Sequence, residues 1–145
     1  CIRDRAIDRA KAAGIDNIEF KVATAKNYTD KDFDFMAFFD CLHDMGDPVG
    51  ACAHAKQALK SDGSCMIVEP FANDSIRDNL NPVGRAFYAF STQLCIPCSL
   101  NQEVGLSLGA QAGLQRLTET IKTGGFSYCE KAAETPFNLI LEAKA

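Results

Sequence analysis

Residues 33–70 decide the fold: FDFMAFFDCLHDMGDP (33–48), a helix-patterned run to Lys60, then SDGSCMIVEP (61–70). Phe35 to Phe39 and Cys65 to Val68 are apolar runs without alternation, the pattern of strands covered on both faces in a parallel sheet, so both are expected to be central. Between them Asp47 is placed to cap a helix, Pro48 suits its first turn, and Val49, Cys52, Ala55 and Leu59 recur at helical spacing. Ser61-Asp62-Gly63 is the expected stop. The unit reads strand, helix, strand. Ligands in open α/β sheets bind beyond the carboxyl ends of the strands, where Asp40, His43, Asp44 and Glu69 fall.

Upstream, Ile2, Ala6, Ile7, Ala10 and Ala13 trace one face of a helix that Gly14 stops, and IEFKVA (18–23) alternates as a strand does. A polar loop or short helix runs on to Asp32. Downstream, Asn73 to Asn81 is polar, and Val83, Phe87, Phe90 and Leu94 mark a helix. Ile96 to Gly113 reads as a mobile connection, and Leu114, Leu117 and Ile121 mark a last helix closed by Gly124-Gly125. Phe126 to Ala133 and Phe137 to Ala143 are two strands joined by Glu134-Thr135-Pro136, most simply antiparallel. The order is α, β, then β-α-β, then helices, then an antiparallel pair.

The chain has 145 residues, the length of one domain, and a net charge of -4 with no Lys/Arg cluster, which argues against a nucleic-acid surface. Between Phe35 and Phe71 five acids face Lys56 and Lys60, a formal net of about -3 that favours a cationic ligand. No apolar run is long enough to span a membrane. Seven cysteines are an odd number, several inside apolar runs, so reduced thiols and a cytoplasmic setting are expected. The chain begins with Cys1 rather than Met and opens in a helix pattern, so it reads as a piece of a longer protein.

The element order, with the words FDFMAFFDCLHDMGDP and LKSDGSCMIVEP, resembles the S-adenosylmethionine-dependent methyltransferases of the Rossmann-like class. The HDM word is similar to the His-Asp-Trp word of small-molecule O-methyltransferases, and ETPFNLILEA (134–143) to the closing phrase of those with an N-terminal winged-helix domain. The resemblance spans the whole chain, residues 1–145, as a partial domain. It implies an α/β fold with a mostly parallel sheet and a C-terminal antiparallel pair, here without the first two strands and the glycine-rich loop. It implies S-adenosyl-L-methionine as cofactor, a small-molecule acceptor with a hydroxyl group, and this stretch inactive alone. A homodimer contact is expected in the missing N-terminal part.

Residue by residue, the resemblance gives His43 the role of base, with Asp44 or a glutamate elsewhere orienting its ring; the alternative is a loop histidine bonded to backbone. Phe39 and Asp40 take the cofactor's methionine and adenine parts, though Asp40 equally fits a carboxylate capping loop amides. The family's acidic adenine reader falls near Thr24-Ala25, which leaves this place in the cofactor site without a charge. Glu69 would close the substrate side or serve the loop; Phe87, Tyr88 and Phe90 would form a substrate wall or core. The lost acid keeps a non-catalytic interaction or regulatory module open as an alternative. Cys95-Ile-Pro-Cys98 keeps a third open, a thiol-disulfide protein, although the pair follows a helix pattern instead of opening a helix after a strand and otherwise reads as ordinary loop thiols; zinc would need two more ligands, with His54 on a predicted helix far away in sequence, so no metal is expected.

Overall fold

The computed structural model describes residues 2–145; Cys1, and whatever its thiol does, lies outside them. Helix α1 spans Ile2–Ala12, strand β1 Phe33–Phe39, helix α2 Pro48–Ala58 and strand β2 Leu59–Pro70. Helices α3 (Pro82–Phe90) and α4 (Ile96–Leu100) are joined by a π turn, Ser91–Cys95. Helix α5 (Gly113–Thr123) and strands β3 (Tyr128–Glu134) and β4 (Asn138–Lys144) complete the chain. The sheet order is β1-β2-β4-β3: β1 and β2 are parallel, and β4 runs antiparallel to both β2 and β3. This is the expected mixed α/β arrangement, with a crossover helix between neighbouring parallel strands.

Asp47 caps α2 as its position implies, its carboxylate accepting from the Gly50 amide at 2.8 Å, with Pro48 at the first helical position. The helix ends earlier than its periodicity, at Ala58, and Leu59 already pairs with Phe33. Ser61-Asp62-Gly63 therefore does not stop a helix; it lies within β2, opposite a register shift between Phe33 and Phe35. Leu59 is the fourth apolar position of the α2 stripe, and the strand takes it because the sheet buries it equally well.

One core cluster holds the molecule together. Ala51, Cys52 and Ala55 of α2 and Leu117 and Ile121 of α5 meet Phe38, Ile67, Leu139 and Leu141 of the sheet. Both helices thus cover the same sheet face. The close approach is permitted by Gly124, where a β-carbon would stand 2.4 Å from that of Cys52. On β2 burial alternates, Cys65, Ile67 and Glu69 deep and Met66 and Val68 less so. The expectation that both parallel strands are central holds for β2 alone. Among the described residues β1 is an edge, and Phe35 and Phe39 on its outer face are 55% and 65% exposed. An apolar run gives what a strand can bury, and burial on the second face requires a second layer.

Two further expectations are corrected. Residues 18–23 form no strand, because a period-two pattern supplies no ladder by itself and no described strand pairs with them; Val22 is 79% exposed. Ile96 to Gly113 is not a loose connection. Helical backbone continues through the π turn into α4, and the following loop is fastened to the rest. Ser99 Oγ donates to the Met45 carbonyl, Leu106 N–H to Gly46, and Gly109 N–H to the His43 carbonyl. Ser91 Oγ accepts from the Ala110 amide. Cys95 and Cys98 consequently sit in helical backbone, not in a loop, and both are free thiols.

Candidate active site

The chain leaves β1 at Asp40, whose φ of 52° turns it out of the strand while its N–H still donates to the Val68 carbonyl at 2.7 Å. A single 3-10 turn, Leu42–Asp44, follows and lies over the carboxyl end of β2. Glu69 is there, wholly buried. Its carboxylate accepts from the amides of Cys41 (3.3 Å), Leu42 (2.8 Å) and His43 (3.3 Å), and from the His43 ring at Nδ1 (2.5 Å). A buried carboxylate needs such donors, since an unpaired charge inside a protein is prohibitively costly. The two alternatives for His43 and Glu69 merge here: the glutamate serves the loop and fixes the histidine in one act. It has no surface left with which to close a substrate side.

The carboxylate has only lone pairs, so Nδ1 carries the proton and the lone pair of a neutral His43 stands on Nε2. Asp44 Oδ1 lies 3.2 Å from Nε2. Burial alone pushes the imidazole toward neutrality and is the largest single influence on it. Glu69, then Asp44 and Asp40, together outweigh it, so the pKa of His43 stands above its ordinary 6.5.

His43 borders a cleft of about 280 Å³ whose other walls include Asp40, Asp44, Pro70, Phe87, Phe90, Leu94, Cys95 and Ala110. The structure therefore gathers Asp40, His43, Asp44, Phe87 and Phe90 at one place. Tyr88, on the same helix, faces elsewhere. Thr24 and Ala25 are not brought to this cleft; with Lys26, Met45, Asp47, Gln102 and Glu103 they line another, of about 360 Å³. There Lys26 Nζ pairs with Asp47 at 2.8 Å and Glu103 at 3.2 Å, and the lysine holds the Asp47 carboxyl below its usual range. Phe39 is exposed at the end of β1, on the face opposite Phe38.

Sequence reading missed Leu94 and Cys95 as walls, which the π turn after α3 carries to the cleft, and Ala110, which arrives through the folded-back loop after α4. The signal for Glu69's role was present: a lone acid ending an apolar strand must find donors nearby. Burial, first, and the Asp44 carboxylate push the Cys95 thiol up to about 12, and burial, first, and Glu69 push Cys41 up to about 11. A redox cysteine needs the opposite shift, so the thiol-disulfide alternative finds no support.

Comparison with known proteins agrees in kind. A family model described as a methyltransferase domain matches residues 4–121. Among solved structures the chain is similar to the mitomycin 7-O-methyltransferase MmcR, at 15% identity and a TM-score of 0.68, covering 99% of this chain and 39% of that one. An O-methyltransferase family 2 protein from Planctomyces limnophilus DSM 3776, in complex with apigenin, gives 17% and 0.69 over 97% of this chain and 39% of that one. PigF with SAH gives 16% and 0.69, over 99% and 40%. No curated protein matches the sequence. The chain thus spans about two fifths of the length of each of these structures.

Proposed function

The chain belongs to the methyltransferase domain family, and from that premise we propose that it forms part of an enzyme moving a methyl group from S-adenosylmethionine to a hydroxyl oxygen of a small molecule. The observation that carries the reading is the buried Glu69–His43 pair, which directs Nε2 at a cleft walled by aromatic rings.

The residues present fit one flank of the cofactor. Phe39 offers an exposed ring and Asp40 an exposed carboxylate at the carboxyl end of β1, and three acids around His43 favour a positively charged group. When bound, the cofactor supplies an electrophilic methyl group. The chain's own part concerns the proton. Neutral His43 accepts the acceptor's hydroxyl proton at Nε2, and Glu69 holds Nδ1–H and balances the imidazolium that results. Phe87 and Phe90 position the acceptor and exclude water. Asp44 is better suited to stabilising the charged ring than to orienting it, since it lies by the reactive nitrogen. The exposed Thr24 and half-buried Ala25 belong to the neighbouring cleft, a place for an uncharged part of the cofactor.

The test is made on the full-length protein that carries this chain, with S-adenosylmethionine and a panel of phenols and alcohols. His43→Ala should lower turnover roughly 10²- to 10⁴-fold with cofactor affinity little changed. Because the protonated ring has no lone pair and its pKa is raised, wild-type turnover should climb with pH through values above the ordinary 6.5, and the variant should lose that limb. Turnover unaffected by the substitution removes His43 from the chemistry and leaves the non-catalytic module as the better reading.

A further inference from the structure

Beside His43 and Asp44 the cleft holds a group that proton transfer does not use, the Cys95 thiol. Asp44 Oδ1 is buried, and apart from the His43 ring at 3.2 Å and the Cys95 thiol it meets no polar partner among the described residues. Cys95, buried in the π turn, brings a third donor: a ring nitrogen of His43, a carboxylate oxygen of Asp44 and the Cys95 sulfur all lie within 4.8 Å of one another. The three represent the nitrogen, oxygen and sulfur ligands that a borderline-soft divalent cation takes. Metal bonds of about 2.0–2.3 Å place tetrahedral ligand atoms about 3.3–3.8 Å apart, so the side chains need close by no more than about 1.5 Å.

The surroundings suit a metal as well. A ligating histidine ordinarily donates its other N–H to a carboxylate, which fixes the tautomer and raises ligand basicity, and Glu69 already accepts from Nδ1. Gln102 Nε2 donates to the Asp44 carbonyl at 2.9 Å and Gly109 N–H to that of His43, so the ligand-bearing turn is held from outside. The cleft provides the route in and leaves a fourth coordination position to water.

We propose that His43, Asp44 and Cys95 form a binding site for a zinc-class divalent cation in the wall of the cleft. Coordination forms metal–nitrogen, metal–oxygen and metal–sulfur bonds, and the Cys95 S–H bond breaks, its proton leaving to solvent. The metal then occupies the lone pair of Nε2. Insofar as His43 is the base, a reading this consequence rests on, the bound cation blocks it. Binding itself does not depend on that reading.

The test uses this chain with Co²⁺ as a spectroscopic probe and Zn²⁺ in competition, on a Cys98→Ser background that removes the exposed thiol nearby. One cobalt per chain with a thiolate charge-transfer band and tetrahedral visible bands, displaced by zinc, is expected. Cys95→Ser should abolish the charge-transfer band, and His43→Gln should weaken zinc binding by at least about tenfold. Circular dichroism checks that both variants keep the fold; Asp44→Asn, at a half-exposed side chain, supplies a third variant should either fail. No charge-transfer band in the parent, or a band and affinity unchanged in the variants, overturns the site. Because no turnover is measured, this failure is distinct from failure of the methyl-transfer reading.

Discussion

Two regions of the chain carry comparable apolar content and have opposite fates. From Leu42 to Pro70 and from Ser91 to Ala143 side chains enter a single core, and even a carboxylate is fully enclosed. From Ile2 to Lys31 nothing is fully buried: α1 has no buried residue, Ile2 is 83% exposed, and Ile15 and Ile18 about half. Helical spacing produced a helix in both, at α1 and at α2. Local pattern selects the element, and stability comes from what the element is packed against.

The sharpest way to break the comparison is to remove the carboxylate at the centre of the packed region. Glu69→Ala leaves the amides of Cys41, Leu42 and His43 and the imidazole without their acceptor. Denaturant unfolding of the chain should show a loss of about 3–5 kcal/mol, as for other broken buried charge pairs. A loss under about 1 kcal/mol would mean that the turn holds itself without Glu69.

An intermediate effect is expected at Asp47, which caps α2 and, through Lys26, ties the upstream region to the packed one. Asp47→Ala should cost about 1 kcal/mol, mostly the lost cap. The folded pKa of Asp47 is lowered, so this contribution is complete above the usual carboxylate pKa of about 3.9 and disappears as pH falls through the lower folded value. Wild type and variant should therefore differ in unfolding midpoint near neutrality and converge in acid; a difference that persists at low pH contradicts the assignment.

The smallest effect should come from the unpacked region. Val22→Ala is expected within about 0.5 kcal/mol of wild type by the same measurement. A larger loss would show that residues 18–23 are covered in solution.

The same contrast explains what was legible in the sequence. Asp47-Pro48 at a helix start and alternation in Phe137 to Ala143 are local signals, and the cap, the crossover helix and the antiparallel pair all follow them. The parallel pairing of β1 and β2 was legible because both runs are apolar throughout. For the strand over 18–23 and the second covered face of β1, the pattern states a requirement and another layer must meet it. At the candidate site His43 and Asp44 stood out because a polar word interrupts apolar sequence. Ala110 did not, since it arrives through a chain reversal that rests on Ser99 Oγ reaching Met45 and Ser107, and on Ser91 Oγ reaching Ala110, and Cys95 did not, since it sits in a π turn that helical spacing does not announce. No spacing rule announces such bonds between distant serines and backbone.

The order β1-β2-β4-β3 has a consequence for how the molecule is assembled in time. β3 and β4 are close in sequence and zip as a hairpin, a fast event of short loop closure. β2 must wait for β4 across the whole stretch containing α3, α4 and α5, a far longer loop. During that interval one edge of β2 presents unpaired amides and carbonyls from Ser64 to Pro70, flanked by Ile67 and Val68. Until the hairpin docks, this edge is where a nascent chain is most open to pairing with a second chain. It is also the strand that carries Glu69, whose neighbour across the ladder is Leu139 of the hairpin.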